Sequence, residues 1–351
     1  MSKIAILGDT HFDIFSGVKQ ERMYQYQEKF FKEVFFPYLI KHNIKTVIQT
    51  GDLFDKRTSI SQRSIKFAKT IFFDVLKVHN IDLHVLTGNH DIYYRDTLEI
   101  VTASQVLGEY NNITLYNTPT QKKIYEKNYS FIPWICKANE ADVADFIKTD
   151  TSTIAIGHLE LAGARLSKHS INEHGTEPGL FKKYNKVYSG HFHTKSVCDN
   201  VDYVGTPYEL TRVDANDQKS FIVIEDGQPD IVVQNPFTIY EQITINDATE
   251  LKKALTGDYN NKYVEIYIEY EETADRLFKF SKKLTEDYDM YDCQIVPKRQ
   301  QQDNELLTVD TSTLKNNAEL IDAYAETNNL SAAVALKLKT LYNQATSNLT
   351  E

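Results

Sequence analysis

Five short segments constrain this chain more than anything else in its sequence: Gly8-Asp9-Thr10-His11, Gly51-Asp52-Leu53-Phe54-Asp55, Gly88-Asn89-His90-Asp91, Gly157-His158 and Gly190-His191-Phe192-His193. Each places a residue able to bind a metal directly after a glycine. Each also follows a short apolar run, at residues 4–7, 46–49, 83–86, 153–156 and 186–188, which reads as a buried strand. Apolar residues at helical spacing fill the first two gaps, over residues 20–43 (Phe30, Phe31, Val34, Phe35) and 61–80. Strands alternating with helices predict βαβ units and a largely parallel sheet. In such a sheet the carboxyl ends of the strands share one edge, so ligands far apart in sequence meet in space. The glycine before each ligand is expected to let the backbone turn sharply.

The residue types narrow the chemistry. Asp, Asn and His without cysteine make an oxygen and nitrogen site, suited to manganese, iron or zinc rather than to a thiolate centre. Seven such residues are many for one ion but suit two ions bridged by one carboxylate. Metal pairs of this kind serve phosphoester hydrolysis, where they activate water and stabilise both the attacking and the leaving oxygen. The three cysteines (Cys136, Cys198, Cys293) are scattered, which disfavours a disulfide framework and fits a reducing cytosol. Lys and Arg number 39 against 49 Asp and Glu, a net charge of −10, so a basic coat over the whole surface is excluded. No apolar run reaches membrane-spanning length, and the first strand is too short for a signal peptide. A soluble, cytoplasmic protein with no membrane partner is expected.

The pattern changes along the chain. Residues 202–205, 220–224 and 231–233 read as short strands of an added antiparallel sheet. After Asn235-Pro236 a small α+β unit is predicted over 236–298: strand 237–245, helix 247–255 capped by Asn246 or Asp247, strand 262–270, helix 273–286 and strand 290–296. A polar linker follows at 299–312, then a tail at 313–351 with two helical stretches. The expected fold class is therefore α/β: two stacked mixed β-sheets flanked by helices over residues 1–235, with a small α+β C-terminal domain and a helical tail.

The five segments, in this order, resemble the calcineurin-like metallophosphoesterase superfamily. Their spacing, the Gly205-Thr206-Pro207-Tyr208 segment and the appended C-terminal units resemble the nuclease subunits of SbcCD- and Mre-type DNA-repair complexes, the T-even-like phage branch in particular. The resemblance implies that Asp9, His11, Asp52 and His193 hold one metal, while Asp52 as bridge, Asn89, His158 and His191 hold a second. It implies Mn2+ as the ion pair, with Mg2+ the second option. His90 would face the substrate phosphate as a catalytic residue, and Asp55 would orient its imidazole. Some repair nucleases carry histidine at the Asp55 position. The family's frequent Pro-Gln after Gly-His-x-His is here Thr194-Lys195, which removes no ligand. The implied partners are double-stranded DNA ends and an SMC-like coiled-coil ATPase held by the tail. A homodimer within a heterotetramer is implied as well, with residues 236–298 as a capping and DNA-recognition domain.

Other residues have plainer readings. Asp91 is expected to be buried support for its loop. His42, His79 and His84 fall in predicted helices or strands and read as structural. Tyr93, Tyr94 and Arg95 are candidate DNA contacts, as is Arg165. For His169 and His174 a substrate contact and an ordinary loop role are both open. Lys122-Lys123 and Lys182-Lys183 read as solvated surface. Two functions besides DNA hydrolysis fit the same core: a phosphatase or cyclic-nucleotide phosphodiesterase, and a scaffold with a relic site. The complete ligand set argues against the relic.

Overall fold

The apolar runs become strands buried on both faces, which is why they read as continuous rather than alternating. The computed structural model describes residues 2–167 and 170–297. The expected linker and helical tail, together with Lys168 and His169, lie outside the described residues. Along the chain, β1 (Lys3–Leu7), β2 (Thr46–Gln49), β3 (Asp82–Leu86) and β4 (Ile113–Tyr116) are parallel neighbours. The next elements are β5 (Thr120–Ile124), β6 (Lys127–Ile132), β7 (Ile154–His158), the hairpin β8 (Arg165–Ser167) and β9 (Ser170–Ile171), and β10 (Lys186–Gly190). β11 (Ser196–Cys198), β12 (Val201–Tyr203), β13 (Ser220–Glu225) and β14 (Ile231–Gln234) follow, then β15 (Tyr240–Ile245), β16 (Tyr263–Ile268) and β17 (Asp292–Pro297).

These strands build two six-stranded mixed sheets, ordered β14-β13-β1-β2-β3-β4 and β11-β12-β10-β7-β6-β5, and a three-stranded parallel sheet β15-β16-β17. Side chains alternate across β1. Ile4 and Ile6 join Ile48, Leu86, Phe131, Ile156 and Tyr188 in the core between the two large sheets. Ala5 and Leu7 face the other way, into a helix-covered core rich in phenylalanine. A third core, including Ile132, Val187 and Tyr203, covers the outer face of the second sheet.

The helices over residues 20–43 and 61–80 are interrupted. α1 (Gly17–Phe30) and α2 (Phe36–Lys41) are joined by a π turn at Phe31–Phe35, and α3 (Gln62–Ala68) and α4 (Asp74–Val78) by another at Lys69–Phe73. Each turn re-aims a pair of phenylalanines into the core, where Phe31 and Phe72 rings meet at 5.1 Å. The added antiparallel sheet expected over residues 202–234 does not form. β12 pairs parallel with β10 in the second sheet, while β13 inserts antiparallel between β1 and β14 in the first. The reason is burial: Ser220 to Ile224 are covered on both faces, so β13 needs a sheet already flanked on each side.

The C-terminal strands form βαβαβ, with crossovers α7 (Ala248–Lys253) and α8 (Ala274–Asp287). (The helices α5, Thr102–Val106, and α6, Glu140–Thr149, lie earlier in the chain.) Asp247 caps the first crossover, as one of its two expected caps, and Thr273 caps the second. Among the described residues, no helix is long and apolar enough to cross a membrane.

Candidate metal centre

The parallel strands β1, β2 and β3 of one sheet and β7 and β10 of the other deliver their carboxyl ends to the same edge of the sandwich. Asp9 and His11 follow β1, Asp52 follows β2, Asn89 and His90 follow β3, His158 ends β7, and His191 and His193 follow β10. The side chains converge. Asp52 Oδ2 lies 3.4 Å from His158 Nε2 and 3.8 Å from His11 Nε2. Asn89 Oδ1 lies 2.9 Å from both His158 Nε2 and His191 Nδ1. Two overlapping groups have metal-binding spacing: Asp9 with His11 and His193, and Asp9 with Asp52 and His158. A third, His11 with Asp55 and His90, adjoins the first.

The backbone is bent to make this possible. His11, Asp52 and His191 all have positive φ, at 41°, 55° and 91°, a cost that L residues accept where the surroundings hold them. Asp91 supplies much of that hold. Fully buried, its carboxylate accepts from the amides of Asp52 (2.7 Å), Leu53 (3.0 Å) and Gly88 (2.9 Å), the supporting role expected for it. The glycines work differently from expectation. Of those preceding ligands only Gly51 has a left-handed φ, of 108°. At Gly88 and Gly190 the constraint is space, because a Cβ would strike the carboxylates of Asp52 and Asp9 respectively.

With no ion bound, histidines carry the positive charge of the cluster: against burial, Asp55, Asp52 and Asp9 raise His11 to about 9, and Asp52 and Asp9 raise His158 to about 9. Asp9, His11, Asp52 and His158 are each at most 2% exposed. Burial pushes the Asp9 carboxyl up to about 7. Burial opposes charge on Asp52 too, but His158 and then His11 outweigh it and hold that carboxyl well below the usual range. One carboxylate thus carries the charge and the other is driven towards its acid form, which a bound cation would reverse. Burial, followed by the charge of His158, drives His191 down to about 3, and burial with His11 drives His193 to about 4. Both are therefore neutral ligands-in-waiting at pH 7. Neither ring nitrogen of buried His11 makes a hydrogen bond, although Nδ1 is 3.2 Å from Asp55 Oδ1. Buried polar atoms rarely stay unpaired unless something else is meant to bind them. His158 donates from Nδ1 to the Thr50 carbonyl at 2.8 Å, which leaves Nε2 aimed at two acceptors, Asn89 Oδ1 and Asp52 Oδ2. The donor set fits divalent metal.

His90 is placed apart from this convergence. Its amide donates to Asp52 Oδ1 (2.7 Å), and its side chain keeps 34% exposure. Its Nδ1 donates to the main-chain carbonyl of Asp55 at 2.5 Å, whereas the Asp55 carboxylate is 3.8 Å away and closer to His11. Asp55 therefore meets His90 through its backbone. Tyr93 and Tyr94 are exposed on the loop after Asp91, with Arg95 beside them. Arg165 is exposed on the β8–β9 hairpin. None of these four makes a hydrogen bond or ion pair with the cluster.

A model of the calcineurin-like phosphoesterase family matches residues 2–199. The chain belongs to this family. As a calcineurin-like phosphoesterase it is a hydrolase of phosphoesters that uses divalent metal. It is 37% identical over 221 residues to Exonuclease subunit 1 of Enterobacteria phage T4, a match covering 62% of this chain and 63% of that protein. The matched stretch is thus under two thirds of that relative's length. Among solved structures it is similar to GAP50, the anchor in the inner membrane complex of Plasmodium. That likeness has 12% identity and a TM-score of 0.39 over 68% of this chain and 90% of that one, too distant to carry an argument.

Two contributors to this phosphoesterase centre have no motif in the sequence. Lys219 is 3% exposed and donates to the His193 carbonyl at 2.9 Å while paired with Asp214 (2.7 Å) and Asp217 (3.0 Å), so it fixes the loop that presents His193. Trp134 packs its ring 5.2 Å from His191. The available signal for it was faint: the chain's one tryptophan, two residues past an apolar strand end.

Proposed function

We propose that this phosphoesterase is a manganese-dependent DNA nuclease, acting at double-stranded ends as the nuclease subunit of a complex with an SMC-like coiled-coil ATPase in recombination and repair. The observation that supports a two-metal reading is the position of Asp52 Oδ2, between His11 Nε2 at 3.8 Å and His158 Nε2 at 3.4 Å, from where one carboxylate would reach both proposed ions. Asp9, His11, Asp52 and His193 would hold one ion, and Asp52, Asn89, His158 and His191 the other. Bound ions would supply activated water at neutral pH and offset charge on the phosphate. The chain's own contribution is positioning and proton handling. The Thr50 carbonyl and Asp91 keep the ligand loops in place, so little reorganisation accompanies reaction. The Asp55 carbonyl holds the proton on His90 Nδ1 and leaves Nε2 free to serve the phosphate and the leaving oxygen.

The DNA substrate rests on similarity to a protein named as an exonuclease subunit, and that word also supports a partner. Residues 236–298 would then act as the capping and DNA-recognition unit and residues 313–351 as the ATPase-binding tail, in a homodimer within a heterotetramer in the cytoplasm. The net charge of −10 fits a nuclease whose grip on DNA comes partly from that partner. The test offers linear DNA, a chromogenic phosphodiester and a phosphomonoester in parallel, with manganese and then magnesium. Degradation of DNA and cleavage of the diester, strongest with manganese, is the expected result. Turnover of the monoester alone would move the protein to the phosphatases. Deleting residues 305–351 should leave diester cleavage intact and abolish co-purification with the ATPase; undiminished binding would remove the tail from the assembly.

A further inference from the structure

The chain's single tryptophan stands at the metal centre without serving as a ligand. Trp134 lies two residues beyond β6. Its amide donates to the Thr87 carbonyl beyond β3 at 2.8 Å, and its own carbonyl accepts from Asn139 Nδ2 at 2.9 Å. The main chain of Trp134 is thus tied to both large sheets. Its ring centroid is 5.2 Å from that of His191 and 6.0 Å from that of His158, the two imidazoles of the Asn89 group. The side chain is only partly buried, packed against the helix-covered core.

A second observation extends this aromatic flank. The turn after Trp134 is tied to the loop after His90 by a hydrogen bond from the Ala138 amide to the Asp96 carbonyl, 3.2 Å. That loop exposes Tyr93 and Tyr94 by 42% and 49%, with their rings edge to face at 4.8 Å. Large rings left in solvent on this loop bring little to folding. They suit a flat ligand with both a charged and an aromatic part.

We infer that Trp134 is the stacking platform for the nucleobase next to the phosphate held at the metal centre. A base reaches an indole only when it has left the duplex. The unit taken up is therefore a nucleotide from a frayed or single-stranded terminus, rather than a paired one or a bare phosphoester. This rests on the nuclease reading and narrows it.

The tryptophan emission of the full-length protein reports position 134 alone. With manganese present, it is followed during titration with a short phosphorothioate oligothymidylate, which resists hydrolysis, and with an abasic oligonucleotide of equal length and linkage. Affinities come from the anisotropy of labelled oligonucleotides, and manganese binding is measured by calorimetry. The base-bearing oligonucleotide should quench the emission and the abasic one should not. Trp134→Ala should weaken the base-bearing ligand roughly 5- to 150-fold, the equivalent of about 1–3 kcal/mol for one stacked base, with manganese affinity unchanged. Trp134→Phe should restore most of the binding. Equal affinity for both oligonucleotides, unaltered in Trp134→Ala, would overturn the platform while leaving the nuclease in place. Loss of manganese affinity in Trp134→Ala in step with oligonucleotide affinity would reduce the residue to packing on His191. Failure of the unaltered protein to bind either oligonucleotide would overturn the nucleic-acid reading itself.

Discussion

Two parts of this molecule use the same supersecondary grammar and only one of them makes a reactive site. The strands β1, β2 and β3 run parallel with helical crossovers, and so do β15, β16 and β17. At the carboxyl ends of the first set stand Asp9, Asp52 and Asn89, each buried, the two carboxylates beside His158 of the facing sheet and the Asn89 amide oxygen beside His158 and His191. At the end of β15 stands another aspartate, Asp247. Its carboxylate accepts from the amides of Thr249 (2.7 Å) and Glu250 (2.9 Å) and caps a helix in solvent. Parallel topology provides a meeting place. A second sheet that buries the meeting place, and brings donors of its own, turns it into a site.

The sharpest test of that contrast exchanges the same atom in both places. Asp52→Asn should abolish hydrolysis, a loss on the order of 10⁴-fold, and weaken manganese binding, because the shared charge is gone. Asp247→Asn should leave turnover and metal affinity unchanged and stability nearly so, since asparagine caps as well as aspartate. Diester turnover and manganese calorimetry on both variants check this. An active Asp52→Asn protein, or hydrolysis by chelator-treated enzyme without added metal, breaks the comparison.

Within the site, the same logic separates the proposed ligands from the group proposed to face the phosphate. His90 is a third exposed and bonded through Asp55's main chain, whereas His191 is inside the ligand cluster. His90→Ala should slow diester cleavage by roughly 10²–10⁴-fold while manganese content is kept. His191→Ala should lose metal. Elemental analysis of the two purified variants decides, and equal depletion would place His90 among the ligands.

The contrast also shows what a sequence can reveal. The converging cluster was legible, because Asp, Asn and His within a few residues of a glycine at a strand end is a local pattern with a spatial consequence. The purpose of the glycines was less so. At Gly88 and Gly190 it is the approach of Asp52 and Asp9 that forbids a side chain, and those partners come from other strands. Edge strands left little trace: in β5, Gln121, Lys122 and Lys123 are all exposed and carry no alternation. Residues 202–234 carried real strand signals but no sign of which sheet would take them, since β13 finds its partner β1 more than two hundred residues earlier. Lys219 was unreadable for a related reason. A buried lysine depends on Asp214, Asp217 and the His193 carbonyl, and no local rule announces that trio.

Between the large sheets, away from the metal edge, a buried imidazole makes a smaller difference that the third sheet's core lacks. His84 bonds Tyr116 Oη at 2.7 Å, and burial, with a contribution from Lys122, lowers its pKa from 6.5 to about 4. The folded chain then keeps it neutral where the unfolded chain would protonate it. Stability from this residue is full above pH 6.5 and is lost as pH falls towards 4, about 3 kcal/mol in all. Denaturant melts at pH 7 and pH 4 should therefore show a smaller acid loss in His84→Gln than in the unaltered chain. Equal acid losses would mean that His84 titrates normally in the folded state.

The smallest expected effect tests how far the third sheet is separable from the site. Arg212, just beyond the Gly205-Thr206-Pro207-Tyr208 segment, reaches across to it. Its guanidinium pairs with Glu265 on β16 and with Asp292 on β17 at 2.8 Å, and bonds Gln294 Oε1 at 3.0 Å. Arg212 is not alone. Glu209 Oε2 accepts from the amides of Ile239 (2.7 Å) and Tyr240 (2.9 Å), and Arg22 donates to the Tyr291 carbonyl at 3.2 Å. The Arg212 side chain is also a third exposed to solvent, which screens its pairs. Arg212→Ala should therefore cost only about 1 kcal/mol, roughly fivefold in the opening equilibrium of β16 and β17, read as faster amide exchange there. Manganese-dependent cleavage of a small diester should not change, because the bonds that tie these strands to the rest come from Arg212, Glu209 and Arg22, none of them a proposed ligand. Cleavage that fell together with the exchange protection would show that the third sheet supports the metal edge, and that the two regions are one functional unit.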